Sequence, residues 1–389
     1  MAETPRIEPG CGAGCSDWQH VSPGTGPTMS FMHESRAQRV AFGAGQALEF
    51  VRAELSRTPS IRPLLIVGSA GTTLAAAISA DLPAARIWDE VIQHVPAEIA
   101  ERARAAAGDA DADAIVSIGG GSATGLAKAV ALTTGLPIIA VPTTYAGSEA
   151  TDVWGVTEDG RKITGTDPRV LPRTVVYDSM LTASLPVPLS ISSGLNALAH
   201  CVDALWAPRA NPINAGTALE GARALRVALR ALIADPRDSD ARDGCLYGTY
   251  LAGVAFASAG SGMHHKICHV LGGTLDLPHA ATHAVVLPYV LAHNTPGASR
   301  QARRLAVALG AQTVAPESAL VALQTLRTQL GAPRSLGELG MTEQDIPVVL
   351  PQILHSIPSS NPVPVTEQSV AGLLRAAIRG AEPIVKEDA

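Results

Sequence analysis

The chain has 389 residues, of which 47% are hydrophobic and only 3% aromatic, and its formal net charge at pH 7 is −6. This length is typical of two domains, and the negative charge gives no broad electrostatic reason to bind nucleic acid. No apolar run approaches the roughly 18 residues of a membrane-spanning helix, and the opening residues lack the pattern of a secretory signal. The sequence therefore predicts a cytoplasmic protein that binds neither nucleic acid nor membrane.

The five cysteines are odd in number and do not form a disulfide framework. Cys11 and Cys15 lie in an opening stretch rich in Gly, Pro and Ser, and two cysteines alone do not complete a metal site. We therefore expect residues 1–37 to be a disordered extension.

Apolar strands alternate with helices in the first half of the chain. After an ordered start at Arg39, the predicted elements are a helix at Gln46–Leu55, a strand at Leu64–Val67, helices at Thr72–Ala80 and Ala97–Ala107, a strand at Ala114–Ile118, a helix at Ala123–Leu132 and a strand at Ile138–Val141. Such alternation is typical of a parallel sheet covered on both faces. It predicts an α/β domain at 38–186, with ligands at the carboxyl ends of the strands.

The pattern becomes helical beyond Pro186. The predicted helices include Leu189–Trp206, Asn214–Ile233 and Leu246–Ala259, and we interpret the dipeptide Asn211-Pro212 as a turn between two of them. The sequence thus predicts an all-helical domain at 187–389, with a cleft between it and the α/β domain.

A glycine-rich loop lies directly between the strand that ends at Ile118 and the following helix. In such a loop, backbone N–H groups can approach phosphate oxygens, and the helix N-terminus adds partial positive charge. A glycine turn without a ligand is the alternative, but the flanking strand and helix favour phosphate binding. The candidate cofactor-binding residues here are Gly119, Gly120, Gly121 and Ser122, of which Ser122 can also cap the helix.

A second polar loop follows the next strand. Hydroxyls of Thr143, Thr144 and Ser148 are placed to reach the same diphosphate or the ribose, although hydroxyls at strand ends also cap turns. Neither loop matches the G-x-G-x-x-G fingerprint or the P-loop pattern, which argues against the common Rossmann variant and against an NTPase.

Histidines cluster in the helical half. His200 lies four residues after Asn196, His269 four after His265, and His283 four after His279, so each pair shares one helix face. A single histidine on an apolar face is usually a core residue, but this clustering favours a site.

The chemistry of that site is open from the residues alone. Three imidazoles, from His200, His265 and His279, are enough for a divalent metal, but Asn196 is a neutral amide and a poor ligand. The competing interpretation is metal-free acid–base chemistry, in which imidazoles exchange protons or stabilise a developing oxyanion. Lys266 would help them to attract a dianionic substrate.

Over nearly all of residues 38–378 the chain resembles the iron-containing alcohol dehydrogenase superfamily, and its motifs are similar to those of the maleylacetate reductase branch. The motifs are Val40–Gly45, Gly119–Lys128, Pro142–Glu149, Ser193–His200, Gly262–Lys266 and Leu277–Ala280. The resemblance implies the dehydroquinate synthase-like architecture, in which an α/β nicotinamide-binding domain precedes an all-α domain and the active site lies between them. It also implies a homodimer.

In metal-dependent relatives, an aspartate and three histidines hold iron or zinc, at the positions of Asn196, His200, His265 and His279. Asparagine in place of aspartate removes the anionic ligand, so the resemblance implies a branch that works without metal. We assign His269 to the cofactor. The acidic ribose-binding residue of relatives is missing near Ser69–Gly71, which leaves NADH or NADPH open, with NADH favoured.

The resemblance implies reduction of 2-maleylacetate, a small dicarboxylate, to 3-oxoadipate in aromatic-compound degradation. Hydride addition to an enone develops an enolate that histidines can stabilise and protonate. We expect this role first of His265, supported by His264, His200, His279 and the neutral Asn196, with Tyr145 a weaker candidate. The alternatives are a metal-dependent alcohol or polyol dehydrogenase, a dehydroquinate-synthase-like lyase and a non-catalytic nucleotide-binding protein.

Overall fold

The computed structural model describes residues 30–58, 60–158 and 161–386. The described residues from His33 onward form one compact unit. Most of the predicted extension 1–37, including Cys11 and Cys15, lies outside the described residues. None of the helices in the described ranges combines the length and apolar composition that a bilayer crossing requires.

Six parallel strands form the main sheet, in the spatial order β1-β8-β5-β4-β2-β3. A separate antiparallel hairpin pairs β6 with β7. The residues of β2, β4, β5 and β8 are all buried, as expected for inner strands covered on both faces. The strands are β1 Arg39–Phe42, β2 Pro63–Val67, β3 Arg86–Trp88, β4 Ala114–Gly119, β5 Ile138–Pro142, β6 Val153–Glu158, β7 Arg161–Thr166 and β8 Thr174–Tyr177.

Helices cover both faces of the sheet, because successive side chains of a strand point in opposite directions. Leu64 and Ile66 of β2 join the apolar cluster that includes residues of α3 and α4. Leu65 and Val67 join the cluster on the other face, with α1 and α2. These helices are α1 Ala47–Arg57, α2 Thr72–Asp81, α3 Ala97–Asp109 and α4 Gly121–Thr134.

The second half is helical. Its central helix, α5, is buried along almost its whole length and packs against α6, α7 and α9. A helix that is apolar nearly all round belongs inside a bundle rather than at its surface. The helices are α5 Val187–Ala204, α6 Pro212–Ala234, α7 Ser239–Ala259, α8 Met263–Leu275, α9 His279–Asn294, α10 Ser299–Ala308, α11 Ser318–Leu330, α12 Ile346–Ser356 and α13 Glu367–Arg379.

The structure confirms the predicted fold class, a parallel α/β half followed by a helical half. The change lies between Tyr177 and Val187, and the treatment of the two halves as separate domains stays a prediction. The elements β3, β6, β7 and β8 were not predicted.

Of two local interpretations, one is confirmed and one was wrong. Asn211-Pro212 does lie between α5 and α6, and the structure shows how it starts the second helix: the Asn211 side chain accepts hydrogen bonds from the backbone N–H groups of Ile213 and Asn214, and Pro212 occupies the first helical position. Ser122 does not cap α4, because the helix already begins at Gly121 and Gly120 is its N-cap residue.

Candidate active site

A cleft of about 990 Å³ runs between the sheet and the helical half. Its walls include the residues that follow β2, β4 and β5, the hairpin β6–β7, and side chains of α5, α7, α8 and α9. The carboxyl ends of the parallel strands therefore open into this space, as expected for an α/β sheet that binds a ligand.

One wall is built by the two polar loops. Gly119 of β4 pairs with Pro142 of β5, and the Thr143 backbone N–H donates to the Gly119 carbonyl oxygen at 3.0 Å, so the loops lie side by side. The first turn of α4 presents N–H groups that lack intrahelical partners, which is the arrangement that binds phosphate. The predicted cofactor-binding residues that line the cleft here are Gly119, Gly120, Gly121, Ser122, Thr143, Thr144 and Ser148.

Close approach is the reason for glycine in this loop. A Cβ atom at Gly120 would lie 2.9 Å from Thr144 Cγ2, and one at Gly121 would lie 3.2 Å from Ala146 Cβ. Side chains there would fill the space between the loops, so the loop fits a diphosphate that the backbone must reach directly. The residues present thus suit a nicotinamide dinucleotide.

The opposite wall holds four of the predicted histidines, because each lies on the cleft-facing side of its helix. On α5 the lining residues Leu189, Ser193, Asn196 and His200 follow the helical repeat. The remaining histidines that line the cleft are His265 and His269 of α8 and His279, the first residue of α9.

Ring contacts hold these imidazoles together. The rings of His200 and His265 stack with their centroids 4.7 Å apart, and those of His269 and His279 stack at 6.2 Å. Phe256 of α7 packs at 4.3 Å from the His265 ring and 4.8 Å from the His200 ring. The histidines thus form one continuous surface next to an apolar ring.

Burial favours the neutral form of these histidines. It lowers the pKa of His200 to about 4 and that of His269 to about 3, and it holds the pKa values of His265 and His279 well below the usual range. The positive charge of Lys162 lowers the pKa values of His269 and His279 further. A neutral imidazole can both donate and accept a hydrogen bond.

Three polar atoms of this wall are buried without a hydrogen-bond partner: Asn196 Oδ1, His200 Nδ1 and His265 Nε2. The amide of Asn196 has a single long contact, in which Nδ2 donates to the Ala146 carbonyl oxygen at 3.4 Å. Buried polar atoms without partners are costly and mark places where a ligand or water bonds. The wall therefore presents hydrogen-bonding capacity to whatever occupies the cleft.

The same residues offer a cation only neutral ligands. The set contains no carboxylate, since Asn196 contributes only a neutral amide. Among the described residues, one group of at least three His, Cys, Asp or Glu side chains has its ligand atoms within 4.8 Å of one another. That group does not include His200, His265 or His279. A structural or catalytic metal requires closer convergence of its ligands.

That other group consists of His264, Cys268 and His283, all fully buried. The His264 Nε2 and His283 Nδ1 atoms lie 3.0 Å apart, and Cys268 Sγ lies 3.7 Å from His264 Nε2. Metal-binding histidines almost always donate their second N–H to an acceptor, yet the second nitrogens of both histidines are buried without a partner. The group fits a hydrogen-bonded core better than a metal site.

The structure therefore does not bring His264 to the cleft, although it adjoins His265 in sequence. Tyr145 is also away from it. The Tyr145 hydroxyl lies within the interior, 3.4 Å from Thr182 Oγ1, and burial raises the pKa of this phenol to about 12. Neither position supports direct contact with a substrate.

Several cleft residues were missed by sequence reasoning. Lys162 of β7 and His94 line the cleft from the α/β half, and Phe256 lines it from α7. The His94 Nε2 atom lies 3.5 Å from Asp276 Oδ1, and His94 and Val95 both have positive φ, at 63° and 52°. Such backbone is unusual for a β-branched residue and often marks functional sites.

Asp203 is the other residue that was missed. It lies on α5, three residues after His200, and its Oδ2 atom is 2.8 Å from His265 Nδ1, with both side chains buried. The sequence did carry a signal for Asp203, because a carboxylate in the apolar part of a predicted helix, one turn from a candidate histidine, is unusual.

Comparison with known proteins places this geometry in context. The family model described as "Iron-containing alcohol dehydrogenase" matches residues 37–179, and the model described as "Fe-containing alcohol dehydrogenase family, C-terminal" matches residues 190–378. The chain is 43% identical to a maleylacetate reductase of Burkholderia cepacia over 356 residues, which cover 91% of this chain and 99% of that protein. It is also 43% identical to maleylacetate reductase 1 of Cupriavidus pinatubonensis, covering 90% and 97%.

Solved structures are similar as well. An iron-containing alcohol dehydrogenase from Corynebacterium glutamicum matches with a TM-score of 0.87 and 51% identity, covering 92% of this chain and 99% of that one. The maleylacetate reductase from Rhizobium sp. strain MTP-10005 matches with a TM-score of 0.84 and 40% identity, covering 91% and 99%.

Proposed function

Because the chain belongs to the iron-containing alcohol dehydrogenase family and, within it, to the maleylacetate reductases, we propose that it reduces 2-maleylacetate to 3-oxoadipate with NADH or NADPH. The reaction is a late step in the breakdown of aromatic compounds. The observation that supports it most is a phosphate-binding loop on one side of the cleft and, on the other, a wall of buried and half-buried imidazoles that includes hydrogen-bonding atoms without partners.

The α/β half binds the cofactor. Backbone N–H groups at the start of α4 and the hydroxyls of Thr143, Thr144 and Ser148 hold the diphosphate and the adjoining ribose. The bound cofactor supplies a hydride. His269 lines the cleft near Lys162 and contacts the cofactor.

The helical half handles the substrate's charge and protons. Hydride addition to the carbon–carbon double bond places negative charge on the conjugated ketone oxygen, and N–H groups of His200, His279 and the Asn196 amide donate hydrogen bonds to it. Once the substrate is bound, His265 takes up a proton on Nε2 from solvent and then delivers it to the enolate, which completes the reduction. A dianionic substrate assists, since nearby negative charge favours protonated imidazole.

We propose that no metal takes part. The amide at Asn196 and the spread of the imidazoles support this. We also propose that the protein is a cytoplasmic homodimer. The edge strand β1 supports a dimer, because the side chains of Val40 and Phe42 are 40% and 41% exposed there.

The test is an assay at 340 nm with freshly prepared maleylacetate, run with NADH and with NADPH, before and after dialysis against a chelator, and paired with metal analysis. We expect cofactor oxidation that survives chelation and metal well below one ion per chain. Loss of oxidation with both cofactors would refute the reductase function. Stoichiometric iron or zinc whose removal abolishes turnover would instead support a metal-dependent alcohol dehydrogenase.

A further inference from the structure

We propose that Asp203 is a positioning residue for the reaction, which fixes the orientation and the tautomer of His265. This inference rests on the proposed function, in which His265 Nε2 exchanges a proton with the substrate. Asp203 itself does not line the cleft, since it lies behind His265 and is fully buried.

The Asp203 carboxylate links two helices. It projects from α5 and accepts hydrogen bonds from the backbone N–H of Gly262 at 2.8 Å and that of His264 at 3.4 Å, at the first turn of α8. The N-cap residue of α8 is Gly262, which has no side chain to cap the helix. A Cβ atom at Gly262 would collide with the Asp203 carboxylate, so glycine here makes room for a cap from another helix.

The third contact of Asp203 is the one that bears on chemistry. With His265 Nδ1 at 2.8 Å from Asp203 Oδ2, the ionised carboxylate accepts and cannot donate, so Nδ1 must hold a proton. The other nitrogen, Nε2, is buried with no protein partner, and His265 lines the cleft. A carboxylate–imidazole pair of this kind sets which nitrogen reacts and stabilises the ring when it is protonated.

Substitution by asparagine removes the charge of Asp203 and keeps an acceptor. One oxygen, Oδ2, accepts from the Gly262 backbone N–H and contacts His265 Nδ1, both at 2.8 Å. In Asp203→Asn, an amide oxygen in that place still caps α8 and still accepts from His265 Nδ1, but it carries no charge to stabilise the protonated ring. The helix start and the tautomer survive, while the proton donor is weakened.

A matched control exists in Asp178. It is also buried, and its carboxylate also accepts backbone hydrogen bonds at the start of another element, from Gly45 at 2.7 Å, Ala47 at 3.0 Å and Met180 at 3.0 Å. It contacts α1 rather than α8 and does not line the cleft. Asp178→Asn therefore reproduces the loss of a buried capping charge without touching the site.

The experiment measures kcat, the KM of NADH and thermal unfolding for Asp203→Asn, Asp178→Asn, His265→Ala and the double variant Asp203→Asn/His265→Ala. We expect Asp203→Asn to lower kcat by about 100-fold or more with the KM of NADH changed less than about threefold. Asp178→Asn should lower thermal stability and leave kcat near that of the wild type. In the His265→Ala background, Asp203→Asn should add little, because it acts through that ring.

Two-dimensional NMR of protein labelled with 15N-histidine, recorded without substrate, reads the tautomer directly. We expect the proton on Nδ1 of His265 in the wild type and in Asp203→Asn, and loss of this preference in Asp203→Ala, which removes the acceptor. The inference is overturned if Asp203→Asn lowers kcat by the same factor with and without His265. It is also overturned if wild-type His265 carries its proton on Nε2. If the wild type does not reduce maleylacetate, the proposed function fails, while the NMR result still decides the role of Asp203 even where the variant does not fold.

Discussion

At the scale of single residues, His265 is distinguished from its neighbours by what its two nitrogens contact. One nitrogen faces a buried carboxylate, and the other is buried, unpartnered and next to the cleft. His264, one position earlier, has its Nε2 against His283 and does not line the cleft. Adjacent residues of a helix point about 100° apart, so these two histidines have different surroundings.

His265→Ala should lower kcat by roughly 100-fold or more, because the proton donor is lost. His264→Ala should act mainly on stability, by about 2–4 kcal/mol, because it opens a core cavity and leaves His283 without its partner. Measuring kcat and urea unfolding for both variants checks the contrast. A His264→Ala enzyme with normal stability and the larger loss of kcat would reassign the proton donor.

The sequence was enough to predict that histidines cluster, and not enough to say which of them share a surface with the substrate. Spacing by four correctly places His265 with His269, but the same rule pairs His264 with Cys268, and only the packing of α8 against α5 and α9 decides which pair faces the cleft. The sequence did mark Asp203 as an unusual carboxylate, but its partner His265, 62 residues away in the chain, could be assigned only from the structure.

At the scale of elements, the turn from β4 into α4 is the part of the site that local sequence predicts best. A buried strand, three glycines and a helix start are contiguous in the chain, so no long-range packing is needed to recognise them. The hairpin β6–β7 is the opposite case. Strand β6 is only half-buried, β7 is largely exposed, and both carry mixed side chains, although the dipeptide Asp159-Gly160 between them in the sequence is a known hairpin signal. Lys162 was missed with it.

Gly120→Val should raise the KM of NADH by about tenfold or more and affect kcat at saturating cofactor much less. The new side chain would meet Thr144 and fill the space through which the backbone reaches the phosphates. The control is Gly216→Val in α6, where a Cβ atom meets nothing within 4 Å, and it should leave both constants unchanged. Cofactor titration by fluorescence measures the effect directly, and equal cofactor affinity in Gly120→Val would contradict the assignment of this loop.

At the scale of the whole molecule, the alternation of strands and helices was sufficient for the fold class, because a parallel sheet needs helices on both faces. How the halves meet was not predictable, because it depends on contacts between distant segments, such as α7 with the loop after β5. The contact between the halves also excludes water from several histidines. Four of them are buried with their rings close together: His200, His264, His265 and His283.

This burial predicts a loss of stability in mild acid. Burial lowers the pKa of His200 to about 4 and that of His264 to about 3, whereas an unfolded histidine titrates near 6.5. Between these pH values the unfolded chain binds protons that the folded chain does not, so the free energy of unfolding falls as the pH drops below about 6.5. The loss is roughly 2 kcal/mol per histidine between pH 7 and 5. Asp203 opposes this in part, because burial raises its pKa to about 6.

Urea unfolding at half-unit intervals from pH 7 to 5 measures the effect, since its slope with pH counts the protons taken up on unfolding. His283→Asn should reduce that number by about one, because it removes a fully buried imidazole. His355→Gln, at an exposed position outside the cluster, is the control substitution. A free energy of unfolding that stays constant from pH 7 to 5 would mean that the histidine cluster is hydrated and charged, and would remove the neutral imidazoles on which the proposed oxyanion contacts depend.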